Sequence, residues 1–527
     1  MEIWKKISAG MRDDPCLWFG LGGFLVGVFG VAALLFGTFP LGTVNLIFFT
    51  SLLFLGALYR PNWCFLLLAA VIPFETISLV PSDFGFSLRP YQWVFLLLAT
   101  ALLVRMMSRR TAWPLIQPTR LDFWLALIPI GAIISGLISG GEGVRLAFVV
   151  ASFYGLYLLG RVFLKTPGDV RIAFITLISS SVVSLVFGII QNIAFERGTL
   201  LQTVMPGRPN GTFAEPDWLG FFSAMLLIFI FTSLYRVPKE TATDNIPLLR
   251  IFWHSAVLIP VLITLILTVS RSAWLSAFVA LVVWTGAALF SEGKGALGRI
   301  LQSAQILVIA CVVSLLIVVD VPLTRFELLN RAESTATGLQ EITVACDAPT
   351  NLPREIGGLD DLQPFGCRHI DLEERAVLAT AGFSIQTTRR PDPNVVIRSE
   401  IYRSTWAEIR THPIFGIGWG NIGIVLGVDE NGAAYNASNV WLEVLLGAGL
   451  IGLIGLIGAL GEIFFRSARE IFDQKSPAIR EYLPLVLSAL SVFLVFNLFN
   501  AGLLIGFVWI CLAAAPVLLS MKTVNKL

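Results

Sequence analysis

Charge is scarce in this chain. Only 14% of its residues are Asp, Glu, Lys or Arg, against about a quarter in an ordinary soluble domain, while 56% are hydrophobic and 12% aromatic. A water-soluble globule is disfavoured on those figures. Histidine occurs three times and cysteine six times in 527 residues, without the paired spacing that a zinc site needs. The 37 basic and 35 acidic residues leave a net charge of only +2. With no polybasic tail and no aromatic-basic pattern, nucleic acid is not an expected partner. Phosphate-cradling Gly-rich loops and Asp-rich metal motifs are absent too, which argues against nucleotide-dependent chemistry in the cytosol.

What the chain does have is apolar runs of roughly 18 to 25 residues, the length that crosses a bilayer as a helix. We read an all-α polytopic membrane protein with about fourteen transmembrane helices and one large outer loop. About eleven spans fall in residues 1–320, the loop with an amphipathic helix in 321–437, and about three further spans in 438–527. The first run follows Lys5, Lys6 and Arg12; it is too long for a signal peptide and lacks a small-residue cleavage site, so it is read as a retained helix. Alternate junctions carry Arg105, Arg109, Arg110, Arg120, then Arg161, Lys165, Arg171, then Arg236, Lys239, Arg250, then Lys294, Arg299, then Arg466, Arg469, Lys475 and Arg480. By the positive-inside rule these junctions and both termini are cytoplasmic.

The long loop therefore lies outside. Loops of such length are functional or disordered. Cys346 and Cys367 fall within it, and on an oxidising face they would close a disulfide loop of roughly twenty residues; the alternative is two unpaired thiols. Further on, Ile397, Ile401, Thr405, Trp406 and Ile409 recur at helical spacing, with Arg398, Arg403, Glu408 and Arg410 elsewhere on the turn. That pattern suits an amphipathic helix, either on the membrane surface or over the tops of the spans.

Short outer loops should be poor in basic residues, so Arg89, Arg145, Arg197, Arg208 and Arg271 need a reason. Snorkelling at the interface accounts for the first three, and Glu75 is read either as a neighbour of the site or as the partner of an outward arginine. Arg271 sits between two apolar runs in Thr268-Val269-Ser270-Arg271-Ser272-Ala273-Trp274, with almost no loop to carry its charge into water. Arg208 opens a Gly/Pro-punctuated turn ending in Glu215, Pro216 and Asp217. A guanidinium offers paired, charge-assisted hydrogen bonds to phosphate, so Arg208 and Arg271 are read as holding a lipid diphosphate. Glu215 and Asp217 would either deprotonate a hydroxyl or pair with the arginines; these roles require opposite pKa shifts.

The stretches Thr268 to Trp274, Arg208-Pro209-Asn210-Gly211-Thr212-Phe213 with Glu215-Pro216, and Thr411-His412-Pro413-Ile414-Phe415-Gly416-Ile417-Gly418-Trp419-Gly420-Asn421 resemble the bacterial O-antigen ligase and O-antigen polymerase family. So does Ala437-Ser438-Asn439-Val440-Trp441-Leu442 followed by Gly449-Leu450-Ile451-Gly452-Leu453. The resemblance runs from about Arg208 to Leu453. It implies an inverting, metal-independent glycosyl transfer, without cofactor, at the periplasmic face of the bacterial inner membrane. The donor would be an undecaprenyl-diphosphate-linked glycan, the acceptor a hydroxyl of another glycan or of lipid A-core, and membrane lipids would surround both. Arg271 matches the family's membrane-edge arginine, Arg208 its outer-loop arginine, and Arg403 resembles a further basic position.

One departure matters. Where the family places a His before the Asn that begins the post-loop span, this chain has Ser438 before Asn439. A carboxylate base, Glu215, Asp217 or Glu443, is therefore preferred, with His412 as the imidazole alternative. The departure tilts the reading toward a polymerase or a divergent ligase. A transporter or flippase of a glycolipid or small anion is the rival class; it predicts inverted repeats and paired broken helices, and no internal symmetry is visible.

Overall fold

Apolar runs in hydrocarbon become helices because only a helix satisfies its own backbone N–H and C=O groups there. The computed structural model describes residues 15–80, 87–111, 115–199, 201–202, 205, 207–236, 246–320, 324, 328–330, 333–334, 337–370, 374–428, 434–473 and 477–519. Lys5, Lys6, Arg12, Lys239 and Lys475 lie outside the described residues. The first helices are α1 (Pro15–Leu35), α2 (Thr43–Tyr59), α3 (Pro61–Val71), α4 (Pro90–Met107), α5 (Arg120–Ser139) and α6 (Glu142–Phe163). They are followed by α7 (Pro167–Glu196), α8 (Pro216–Tyr235), α9 (Ile246–Leu267), α10 (Arg271–Glu292) and α11 (Ala296–Val319). Strands β1 (Leu339–Cys346), β2 (Cys367–His369) and β3 (Ser384–Pro391) come next. The chain continues through α12 (Pro393–Thr411), α13 (Trp419–Leu426), α14 (Val440–Asp473), α15 (Leu483–Phe496) and α16 (Gly506–Leu519).

Among the described residues nine of these helices are long and apolar enough to cross a membrane, and five shorter apolar helices accompany them. The chain is a multi-pass helical membrane protein. Helix starts are written locally: Thr119 and Thr166 each cap a helix in a reciprocal box with Asp122 and Asp169, satisfying first-turn donors. Several basic residues of the alternate junctions are paired at helix ends. Arg161 meets Asp122 at 2.6 Å and Tyr157 donates to the same carboxylate at 2.5 Å, tying the start of α5 to the end of α6. Arg299 pairs with Glu292 and Arg236 with Glu481.

Contacts divide the chain into a first unit of Met1–Ser314 with Glu408–Leu527 and a second unit of Leu315–Ala407. The second unit departs from the all-α expectation. Its three strands pair in the order β2-β1-β3, both pairings antiparallel, around a small core of Ile342, Val344, Ile356 and Leu362. Ile342, Thr343 and Val344 are β-branched, which favours a strand; the polar surroundings hide that signal. Cys346 and Cys367 stand opposite each other in the register and are disulfide-bonded, as expected. Helix α12 forms where the amphipathic pattern placed it, with Ile401, Thr405 and Ile409 buried along one stripe.

Residues 408–428 and 434–437 fold with the first unit, and the motif around Gly416 explains why. Helix α14 breaks at Gly449, whose φ is 64°. The break frees backbone groups of α14, and the strap before α13 satisfies them: Leu450 N–H donates to Ile414 O at 2.8 Å, while Ile417 and Gly418 N–H donate to Leu446 O at 2.7 and 3.2 Å. A Cβ on Gly449 would lie 2.1 Å from Ile414 O. Beyond the break, Gly455 and Gly458 let α14 approach α5 at Trp124, the close packing expected of small residues.

Two outcomes follow. Gly449→Ala should destabilise the protein by about 2–5 kcal/mol, combining left-handed strain with overpacking; Gly461→Ala is the control, since its added Cβ meets only the Phe465 ring, at 3.8 Å. Thermal unfolding in detergent reads both. Replacing Cys346 and Cys367 by Ser should cost the second unit about 3 kcal/mol, seen as faster proteolysis within residues 337–392.

Candidate active site

At the end of the bundle opposite the Arg161 network, only three residues separate α9 from α10. Val269 turns the chain there with φ 49° and is buried. A β-branched residue adopts that conformation only when its surroundings impose it. They do so through the last carbonyls of α9: Thr268 Oγ1 and Trp274 Nε1 both donate to Leu265 O, at 2.9 and 2.7 Å, and Val269 N–H donates to Ile266 O at 3.0 Å. The chain then enters α10 with Arg271 as its first residue, half-buried. The N-cap Ser270 directs its hydroxyl to Ser272 Oγ at 3.3 Å. Arg271 thus adds its guanidinium to the positive end of a long helix.

Arg208 approaches the same break from the side. Its loop is nailed down: Gly211 N–H donates to Gln191 Oε1 at 2.7 Å, Asn210 Nδ2 to Phe213 O at 2.7 Å, and Thr212 Oγ1 to Pro73 O at 2.5 Å. From that turn the buried Arg208 side chain donates Nε to Thr268 O at 2.8 Å and reaches Asp217 Oδ1 with its Nη2 at 3.2 Å. Arg208 therefore braces the break beneath Arg271, and Asp217 pairs with it. Glu215 is exposed at the N-cap of α8, two residues away.

The post-loop candidates surround the start of α14. Ser438 has φ 49° and its N–H donates to Asn436 Oδ1 at 2.8 Å. Asn439 Oδ1 caps the helix through Trp441 and Leu442 N–H, at 2.9 and 3.2 Å. Glu443 is buried and folds back on this turn, its Oε2 accepting from Ala437 N–H at 2.7 Å. His412 ends α12, its Nδ1 2.9 Å from Glu408 Oε1, with the ring half-exposed. Arg403 belongs to the second unit and is exposed there.

Other candidates resolve into pairs. Glu75 meets Arg89 at 3.7 Å and also accepts from Gly506 N–H at 3.4 Å; Arg145 meets Glu142 at 2.9 Å. Asn500 Nδ2 donates to Ser272 Oγ at 2.8 Å, at the residue that follows Arg271. Gln191 lies outside the motifs; Thr212 and Thr268 lie within them, but the bonds they make carry no sequence signal. Among the described residues no group of three or more His, Cys, Asp or Glu is placed to hold a metal ion.

Residues 255–457 match a family model described as O-antigen ligase. The chain carries an O-antigen ligase family region. That region runs from α9 through the break, the second unit and the strap into α14. It contains Arg271, Arg403, His412, Ser438, Asn439 and Glu443, whereas Arg208, Glu215 and Asp217 precede it. A search of curated proteins gives no significant match. In the O-antigen ligase region the site is thus supported from outside, by an arginine contributed upstream.

Arg208→Ala removes donors from both Thr268 O and Asp217, and should lower stability by about 1–3 kcal/mol. Asp217→Asn should cost less, because the bond to Thr268 remains. Thermal midpoints of the two variants and their double test this: equal losses for both single variants would show that the bond to Thr268 contributes nothing.

Proposed function

We propose that this protein transfers a glycan from undecaprenyl diphosphate to a hydroxyl acceptor at the periplasmic face of a bacterial inner membrane. The observation that carries the reading is Arg271, the first residue of a helix, on a strained break that a buried arginine braces. The O-antigen ligase match spans that residue. In the reaction the acceptor oxygen attacks the anomeric carbon, the bond from that carbon to the diphosphate oxygen breaks, and undecaprenyl diphosphate leaves with the electron pair. One displacement inverts the anomeric centre. The protein's tasks are to orient the two substrates, neutralise charge on the departing diphosphate and take up the acceptor proton. Arg271 supplies the neutralising charge, Arg208 holds its backbone support, and Arg403 is a further basic candidate for the diphosphate.

A carboxylate takes the proton, from among Glu215, Asp217 and Glu443, with His412 as the imidazole alternative. Its acceptor stands near Ser438 and Asn439, at the turn where the family pattern has His. The orientation rests on the positive-inside pattern; were the five shorter apolar helices to cross along with the nine long ones, the even number would put both ends on one side. The disulfide of the second unit suits an oxidising, periplasmic compartment.

Purified protein supplied with a lipid-diphosphate glycan should form product, as a lengthening ladder for a polymerase or on a separate acceptor for a ligase. Arg271→Ala should lower turnover on the order of a hundredfold, with Arg271→Lys intermediate; wild-type turnover in Arg271→Ala would overturn the reading. Glu215→Gln, Asp217→Asn and Glu443→Gln should identify one base. Gln at position 443 still accepts from Ala437 N–H, so lost turnover there reports chemistry and not anchoring. If all three variants turn over normally, His412 is the base.

A further inference from the structure

The turn between α15 and α16 lies beyond the family match, yet it joins the two parts of the site that the match contains. On one side it holds the start of α14: Val440 N–H donates to Asn497 O at 3.1 Å and Asn439 Nδ2 to Leu498 O at 3.0 Å. On the other it holds the start of α10, through the bond from Asn500 Nδ2 to Ser272 Oγ. The turn itself is stiffened from within. Asn497 Oδ1 accepts from Gly502 N–H at 2.5 Å, Asn497 Nδ2 donates to Phe493 O at 2.9 Å, and Asn500 Nδ2 shares a second bond with Phe496 O at 3.1 Å. Asn497 is fully buried. A polar turn made of amide side chains, closed on itself and bonded to both flanking helix starts, costs desolvation that an apolar loop would avoid.

The geometry points to Asn500 as a positioning residue for Arg271, and to the 497–502 turn as the element that sets the diphosphate-gripping arginine relative to the Ser438–Asn439 turn. Arg208 fixes the carbonyl of Thr268 before the break, and Asn500 fixes Ser272 just after it. These two restraints fix the backbone on either side of Arg271. The same turn carries the start of α14, so donor grip and acceptor side move as one piece. This inference rests on the glycan-transfer reading.

Kinetics with the lipid-diphosphate glycan test it in the full-length protein. Asn500→Ala and Ser272→Ala should each raise the donor KM roughly three- to tenfold, the size of one hydrogen bond, and leave the acceptor KM unchanged. The double variant should fall short of the product of the two single effects, because both remove the Asn500–Ser272 bond while each also removes one of its own, to Phe496 O and to Ser270 Oγ. An unchanged donor KM in both, equal rises for donor and acceptor, or losses that multiply in the double variant would each overturn the assignment. Should Asn500→Ala fail to fold, Ser272→Ala carries the test, since it removes only the accepting hydroxyl. A wild-type protein without transfer activity would overturn the glycan-transfer reading and this inference together. An active wild type with indistinguishable variants would overturn this inference alone.

Discussion

Every backbone group that a helix break exposes inside an apolar slab must find a partner, and this protein's site is built on that constraint. The chain breaks twice at the relevant end, at Val269 and at Gly449. Each break is patched by a segment distant in sequence. The buried Arg208 guanidinium takes the carbonyl of Thr268, and the strap through Ile414, Ile417 and Gly418 takes the carbonyl of Leu446 and the N–H of Leu450. The motifs that look catalytic in sequence are in good part these patches. Gly416 and Gly418 serve close backbone approach in the strap, and Asn210 and Thr212 lock the turn that aims Arg208.

The arginines divide by what they do with their charge. Arg161, at the far end, is enclosed with Asp122, Tyr157 and the cap of α5, a structural knot that joins two helices. Arg208 resembles it: buried, bonded to a backbone carbonyl, and paired with Asp217. Arg271 differs in being half-buried at the leading end of a helix. A helix N-terminus favours anions, so a partly exposed guanidinium placed there is set to meet one. That difference makes Arg271 the centre of the proposed chemistry and Arg208 its support.

Much of the architecture was legible because lipid imposes a simple code. Apolar runs read as helices, and Cys346 and Cys367 are disulfide-bonded. The sheet of the second unit was not legible. Its strands are short, flanked by polar residues and held by a disulfide and a core of few side chains, so they lack the long alternation that marks a strand. The site was half legible. Motifs drew attention to Arg208, Arg271, Asn439 and Glu443, but residue type alone could not separate an arginine that binds a ligand from one that braces a turn.

From the sequence by itself follow the membrane class, the candidate arginines and acids, and the kinship with O-antigen ligases, because composition, run length and motif order are properties of the chain. Only the tertiary structure decides which groups meet. Arg208 reaches a carbonyl 60 residues away and Asn500 a hydroxyl 228 residues away, and Asp217, free to act as base or partner on paper, is drawn to Arg208. The physical reason is that hydrogen bonds across a membrane bundle are set by how helices stack side by side. Each span's local pattern specifies that it is a helix and leaves its neighbours open.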